Sequence, residues 1–196
     1  MMERLTAVSP AERTLPIKEP VEQVRPPLVW LVGAHGGAGV TFLTHSLAFA
    51  GDCKEMWPDV AEQDISPCAV VVARESTSRL DAAEQALRQW HTDPELEHIN
   101  LIGLVLVAEA SGKKRARELS AWSESVAALA PSTFRVAWIP EWTHMRTNEL
   151  PDWWPGDAVP EKKKKYESDV PATVAELGEH LMTAALAALT EQEEEQ

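Results

Sequence analysis

Four short apolar runs divide the chain into a regular rhythm. Residues 28 to 32 (LVWLV) end in Gly33, and residues 69 to 73 read AVVVA. Residues 101 to 107 read LIGLVLV, and residues 134 to 139 (FRVAWI) end at Pro140. All four read as short apolar runs, which is how strands covered on both faces of a parallel sheet look. Helical patterns lie between them, at about 40 to 50, 78 to 91 and 113 to 129, with Ser76, Thr77 or Ser78 placed to cap the second. Leu80, Ala83, Leu87 and Trp90 fall on one face of that second helix, as packing on a sheet requires. Strands alternating with helices predict an α/β fold with a small doubly wound, mainly parallel sheet of about four strands, flanking helices and right-handed crossovers. A last helical stripe, Val174, Leu177, Leu181, Ala185 and Ala188, predicts an amphipathic helix over 170 to 190 that docks on the sheet domain or on a partner.

The remaining segments lack such patterns. Residues 1 to 25 are polar and broken by Pro10, Pro16 and Pro20, which predicts a disordered tail. The α/β domain then spans 26 to 145. Residues 146 to 169, with Trp153, Trp154 and the run Lys162 to Lys165, read as a long irregular connection, and 191 to 196 as an acidic tail. Trp142, Trp153 and Trp154 suit packing over a sheet edge, or else anchors for a partner.

Length and charge narrow the function. At 196 residues the chain supports one sizeable core. Its formal charge of -13, from 31 acidic against 18 basic residues, argues against nucleic acid and anionic membranes as partners. Cys53 and Cys68 form no metal-binding spacing and read as reduced, buried thiols. The first residues carry charges every few positions and no apolar run, so the expectation is a cytoplasmic protein without signal peptide or transmembrane segment.

The most specific feature follows the first strand: Gly33-Ala34-His35-Gly36-Gly37-Ala38-Gly39-Val40-Thr41, leading into a helix. A strand, a glycine-rich turn and a helix start direct backbone amides into one concavity, where the orphan N–H groups and the helix dipole favour an anion. Glycines allow positive φ and close approach. The expected binding residues are therefore His35, Gly36, Gly37, Ala38, Gly39, Val40 and Thr41. Arg74, at the carboxyl end of the second apolar run, is added as a fork-shaped phosphate contact. Thr41 occupies the position that would hold Mg2+, with ATP or GTP as the expected nucleotide.

This loop resembles that of the ParA/MinD-type ATPases, which reads Lys-Gly-Gly-x-Gly-Lys-Thr. Residues 35 to 41 keep the three glycines and the threonine, while His35 and Val40 stand where the two lysines would be. The stretches VLVAEASGK and VAWIPEW also look like late strands of that family. More closely, the arrangement resembles an uncharacterised actinobacterial family of degenerate P-loop proteins found with conjugative or integrative elements. That resemblance implies nucleotide or phosphate binding with little or no hydrolysis, accessory to the maintenance or transfer of such elements. Phosphoryl transfer depends on positioning and on charge set against the developing anion, and a valine supplies neither. Each lost charge-assisted bond is worth roughly 1.5 to 3 kcal/mol.

The acid that would hold magnesium or orient water should end a neighbouring strand, and Glu75 and Glu109 are the candidates. Gly33, Gly37 and Gly39 also fit the fingerprint of short-chain dehydrogenases. A nicotinamide site, however, wants an acid closing the second strand, and Asp52, near the right distance, has no strand pattern before it. Tyr166 lacks the lysine that family places four residues on. Lys113, Lys114, Arg115 and Arg117 open a helix where positive charge is locally unfavourable, so they suit either ordinary surface or a ligand. A non-enzymatic interaction or scaffold protein with an inert loop, acting through a protein partner or as a homodimer, is the competing reading.

Overall fold

The structure is a computed structural model that describes residues 13–20, 26–60, 65–110, 116–158 and 170–194, side chains of the last four excepted. In chain order, β1 (Ile17–Lys18) precedes β2 (Val29–Gly33), α1 (Val40–Ser46), β3 (Ala50–Asp52) and β4 (Trp57–Pro58). Then come β5 (Cys68–Arg74), α2 (Thr77–Thr92), β6 (Asn100–Val107), α3 (Arg117–Ala127), β7 (Thr133–Val136) and α4 (Ala172–Glu194). Five strands form one parallel sheet in the order β3-β2-β5-β6-β7, and β1 pairs with β4 beside it.

The expected α/β architecture with flanking helices is present, and the apolar runs explain it. In β5, Cys68, Val70 and Val72 join a core with Leu43 of α1 and Val174, Leu177 and Leu181 of α4. Ala69, Val71 and Ala73 point the other way, into a core with Leu80, Ala83 and Leu87 of α2 and Val126 of α3. Both faces of the strand are covered, so no polar alternation can survive in its sequence. The connection from β2 steps one way to β3, while those from β5 and β6 step the opposite way, and the helices change face with the direction. That is what a single crossover hand demands.

The sheet has five strands where the sequence suggests about four. The added strand is β3, which starts at Ala50, where the region that reads as a helix ends. Helix α1 stops at Ser46, because Leu47 turns extended (φ -118°, ψ 96°), and Leu28 donates to the Phe49 carbonyl at 2.8 Å. A three-residue strand reading Ala-Gly-Asp carries too little apolar pattern to announce itself. Its glycine is required by packing: a Cβ on Gly51 would lie 2.5 Å from the Trp30 ring.

The expected tail over 1 to 25 also needs correcting, since residues 13–20 lie against the domain. Leu15 is buried; its N–H donates to the Gln89 side chain at 2.9 Å, and the Gln89 amide donates back to its carbonyl at 2.8 Å. Arg13 meets Asp93 at 2.5 Å. Burial raises the Asp93 carboxyl, but hydrogen bonds from Arg13 and the Glu95 amide outweigh it and hold it below its ordinary value. A segment with few apolar residues is thus held by side chains from α2, which periodicity does not record. The other parts of that tail lie outside the described residues.

Past β7 the chain runs through two short 3-10 turns, Pro140–Thr143 and Thr147–Glu149. Trp153 then seats in the core at 2% exposure. A Cβ on Gly178, in the middle of α4, would lie 2.6 Å from its ring, so the glycine makes room for the indole. The three tryptophans separate: Trp153 is buried, Trp142 half-buried and Trp154 exposed. Helix α4 continues to Glu194, into the expected acidic tail. Lys113, Lys114, Arg115, Lys162 to Lys165 and Tyr166 lie outside the described residues. Among the described residues, no helix is long and apolar enough to cross a membrane.

Candidate functional site

Strands β2 and β5 are neighbours whose connections leave in opposite directions, so the crevice at their carboxyl ends is the topological switch point, where open α/β sheets place ligands. The glycine loop lies there. Gly37 (φ 75°) and Gly39 (φ 104°) take the left-handed conformations that L side chains avoid. Ala38 donates to the His35 carbonyl. Among the described residues, the amides of Gly37, Gly39, Val40 and Thr41 have no backbone acceptor. They border an open hollow of about 400 Å³, lined also by Asp52, Lys54, Glu55 and Arg74.

The expected site residues differ in what they do here. Thr41 is exposed, and its hydroxyl donates to Asp52 Oδ2 at 3.0 Å. Val40 is 6% exposed and belongs to the core, with Cγ2 3.2 Å from where a Gly33 Cβ would stand. Ala38 is buried as well. His35 acts as a brace: its Nε2 accepts the Arg74 amide at 3.1 Å, and its Nδ1 lies 2.9 Å from the Gly36 carbonyl and 2.6 Å from Arg79 Nη1. Burial pushes the His35 imidazole below its ordinary value, the bond to Gly36 opposes this, and the nearby Arg79 guanidinium lowers it further. Arg79, on the first turn of α2, also donates to the Gly36 carbonyl. Arg74 donates through Nε to the Gly37 carbonyl at 3.0 Å and through Nη1 to the Ala108 carbonyl at 3.3 Å. Its guanidinium carbon lies 5.7 Å from the Trp138 ring centroid. Arg74 therefore joins the site, but with much of its fork committed to the loop and the β6 end.

The acid proposed from sequence is misplaced. Glu75 is 5% exposed and turned to the opposite face, where Ser123 donates to it at 2.7 Å. Glu109 is exposed and does not line the hollow. Asp52 stands at the loop instead, because the strand judged absent before it exists as β3. Besides the Thr41 hydroxyl it accepts the Lys54 amide, at 2.7 Å, through Oδ1. The distance in sequence from Gly33 was the available signal; the edge strand that delivers it was not. The acid-after-strand condition for a dinucleotide site is thereby met in placement, although Tyr166 lies outside the described residues.

A second cavity, of about 290 Å³, adjoins the first and shares Gly39, Phe42 and Arg74 with it. Its walls are mostly apolar: Val107, Trp138, Ile139, Trp142 and Met145 contribute. Phe42 and Trp142 stack at 5.7 Å, and among the described residues the buried Trp142 indole N–H has no hydrogen-bond partner. The late stretch from Trp138 thus closes the site through Trp138 and Ile139, which the sequence places in its fourth apolar run, and Trp142, which it assigns to packing or to a partner. Among the described residues, no cluster of three or more His, Cys, Asp or Glu side chains could by itself hold a metal.

Comparison with known proteins gives one match. The profile described as "Family of unknown function (DUF6668)" covers residues 27–153, well over half the chain and the whole of this site. No curated protein and no solved structure matches.

Proposed function

The chain belongs to the DUF6668 family, whose function is unknown, and from the geometry of its site we propose that it binds a nucleotide or a similar phosphorylated ligand with little or no hydrolysis. The observation that carries this reading is the pairing of two compartments at the switch point. An amide-bordered hollow with positive-φ glycines suits the phosphate, and an apolar, aromatic-walled cavity suits a base. Arg74 stands between them. Magnesium fits the residues present, since a hard cation takes oxygen ligands and keeps few from protein. Thr41 and Asp52 would hold it, and it would offset the Asp52 charge beside a phosphate.

Turnover is not part of the proposal. Val40 carries no charge and is packed in the core, and His35 is braced as a neutral ring, so neither neutralises a developing anion. An accessory role in maintaining or transferring a conjugative element rests on the sequence resemblance alone. Unchanged mating frequency in a deletion strain would remove it.

One observation favours the competing scaffold reading. Glu55 Oε1 lies 3.3 Å from where a Gly36 Cβ would stand, which sets a carboxylate against the loop. The readings separate in a melting experiment with millimolar ATP or GTP and Mg2+, because a ligand of the folded state must raise Tm. A tenfold excess over Kd adds about 1.4 kcal/mol. No shift with either nucleotide leaves the loop inert. If a shift appears, Gly37→Val should abolish it. A Cβ at Gly37 meets no atom within 4 Å and projects into open space, so the loss would come from φ 75° strain and the blocked hollow.

A further inference from the structure

The two positions where a P-loop would carry lysines hold His35 and Val40, and neither delivers charge to the hollow. Among the described residues the cations lining it are Arg74, already spread over two carbonyls and a tryptophan, and Lys54. Lys54 comes from a different element, the turn that follows β3. We infer that Lys54 is the phosphate-binding cation of this site, supplying from the β3 turn the charge that the glycine loop lacks. The inference rests on the proposed binding function and adds the residue that makes an anion welcome there.

Three observations support it. First, the Lys54 side chain is exposed, lines the hollow and takes no hydrogen-bond or ion-pair partner among the described residues. An ammonium on a flexible four-carbon stem is a mobile point charge well suited to phosphate oxygens. Second, Lys54 is, among the described residues, the one non-glycine residue at positive φ (53°). Glycine would take that conformation freely, whereas lysine holds it under strain.

Third, the conformation is clamped on both sides. The Lys54 amide donates to Asp52 Oδ1 at 2.7 Å, and its carbonyl accepts the Gly33 amide at 2.5 Å. A Cβ on Gly33 would lie 2.8 Å from that same carbonyl, so the close approach depends on glycine there. Through these contacts the strand before the loop fixes where the Lys54 stem starts. Asp52 and Glu55 share the lining, so without Lys54 the charges facing a phosphate there would be two carboxylates and the partly committed Arg74.

The test uses the full chain, with Mg2+–ATP and inorganic pyrophosphate as probes, followed by calorimetric titration. Lys54→Met should weaken both ligands about tenfold, the worth of one charge-assisted contact, and reduce the salt dependence of binding. Lys54→Arg should retain most of the affinity. Lys54→Gly separates binding from folding: removing the strained side chain should leave Tm equal or higher while binding weakens as in Lys54→Met. If wild type binds and the Met and Gly variants bind equally well, the assignment is overturned and the proposed function stands. If wild type binds neither probe, the binding function itself fails, and Lys54 with it.

Discussion

Position 40 offers the sharpest check on how the loop is built. If position 40 were simply an ATPase loop's missing phosphate lysine, Val40→Lys would restore that charge. The packing predicts damage. Val40 is 6% exposed, clusters with Leu43 and Val72, and presses a methyl toward Gly33. Removing a buried valine side chain forfeits about 1.5 kcal/mol of apolar burial. A lysine stem would have to leave through the hollow, and partial desolvation of its ammonium adds about 1 to 2 kcal/mol. The sum is about 3 kcal/mol. For a chain of this size each kcal/mol moves Tm by about 2 to 4 °C, so the variant should melt about 6 to 12 °C lower. Val40→Met, longer but uncharged, adds bulk to the core and should cost about 1 to 3 kcal/mol with no gain in hydrolysis. Urea unfolding followed by circular dichroism gives the stabilities, and phosphate release with Mg2+–ATP gives the activity. An unaltered midpoint for Val40→Lys together with new ATP hydrolysis would refute the reasoning, because the side chain would then face the ligand and not the core.

Two further outcomes follow from other parts of the molecule. Trp153→Ala should destabilise by about 3 to 5 kcal/mol, since the ring fills the space that Gly178 leaves against Leu47; a cost below about 1 kcal/mol would mean the indole is not a core element. His35 has its folded-state pKa lowered, so its stabilising contribution is complete above the ordinary histidine value of about 6.5 and declines as pH falls from there toward the folded value. The Tm difference between wild type and His35→Asn should therefore shrink on acidification from pH 8 to pH 5. A difference that stays flat or widens would contradict the neutral brace between Arg74 and Gly36.

Legible in the chain alone were the α/β class, the buried strands β2, β5 and β6, the helices α2 and α4, and the place of the glycine loop between the first core strand and its helix. These features are local: continuous apolar runs, helical stripes and clustered glycines each express the physics of a few adjacent residues. The other features depend on partners distant in sequence. Strand β3 exists because β2 offers it a ladder, and with it came Asp52, which has no strand pattern before it in the sequence, and Lys54 in the turn that follows. Asp52 and not Glu75 stands at the loop for the same reason, since which acid faces it depends on strand order and face. Val40 reads as a vacancy in a charged motif and proves to be packing, because its surroundings include Gly33, Val72 and the core of α4. Residues 13–20 carry almost no periodic signal and are held by Gln89 and Asp93, more than seventy positions away. Local pattern records what a residue needs from its neighbours in the chain, and the site was assembled from residues whose needs are met by neighbours in space.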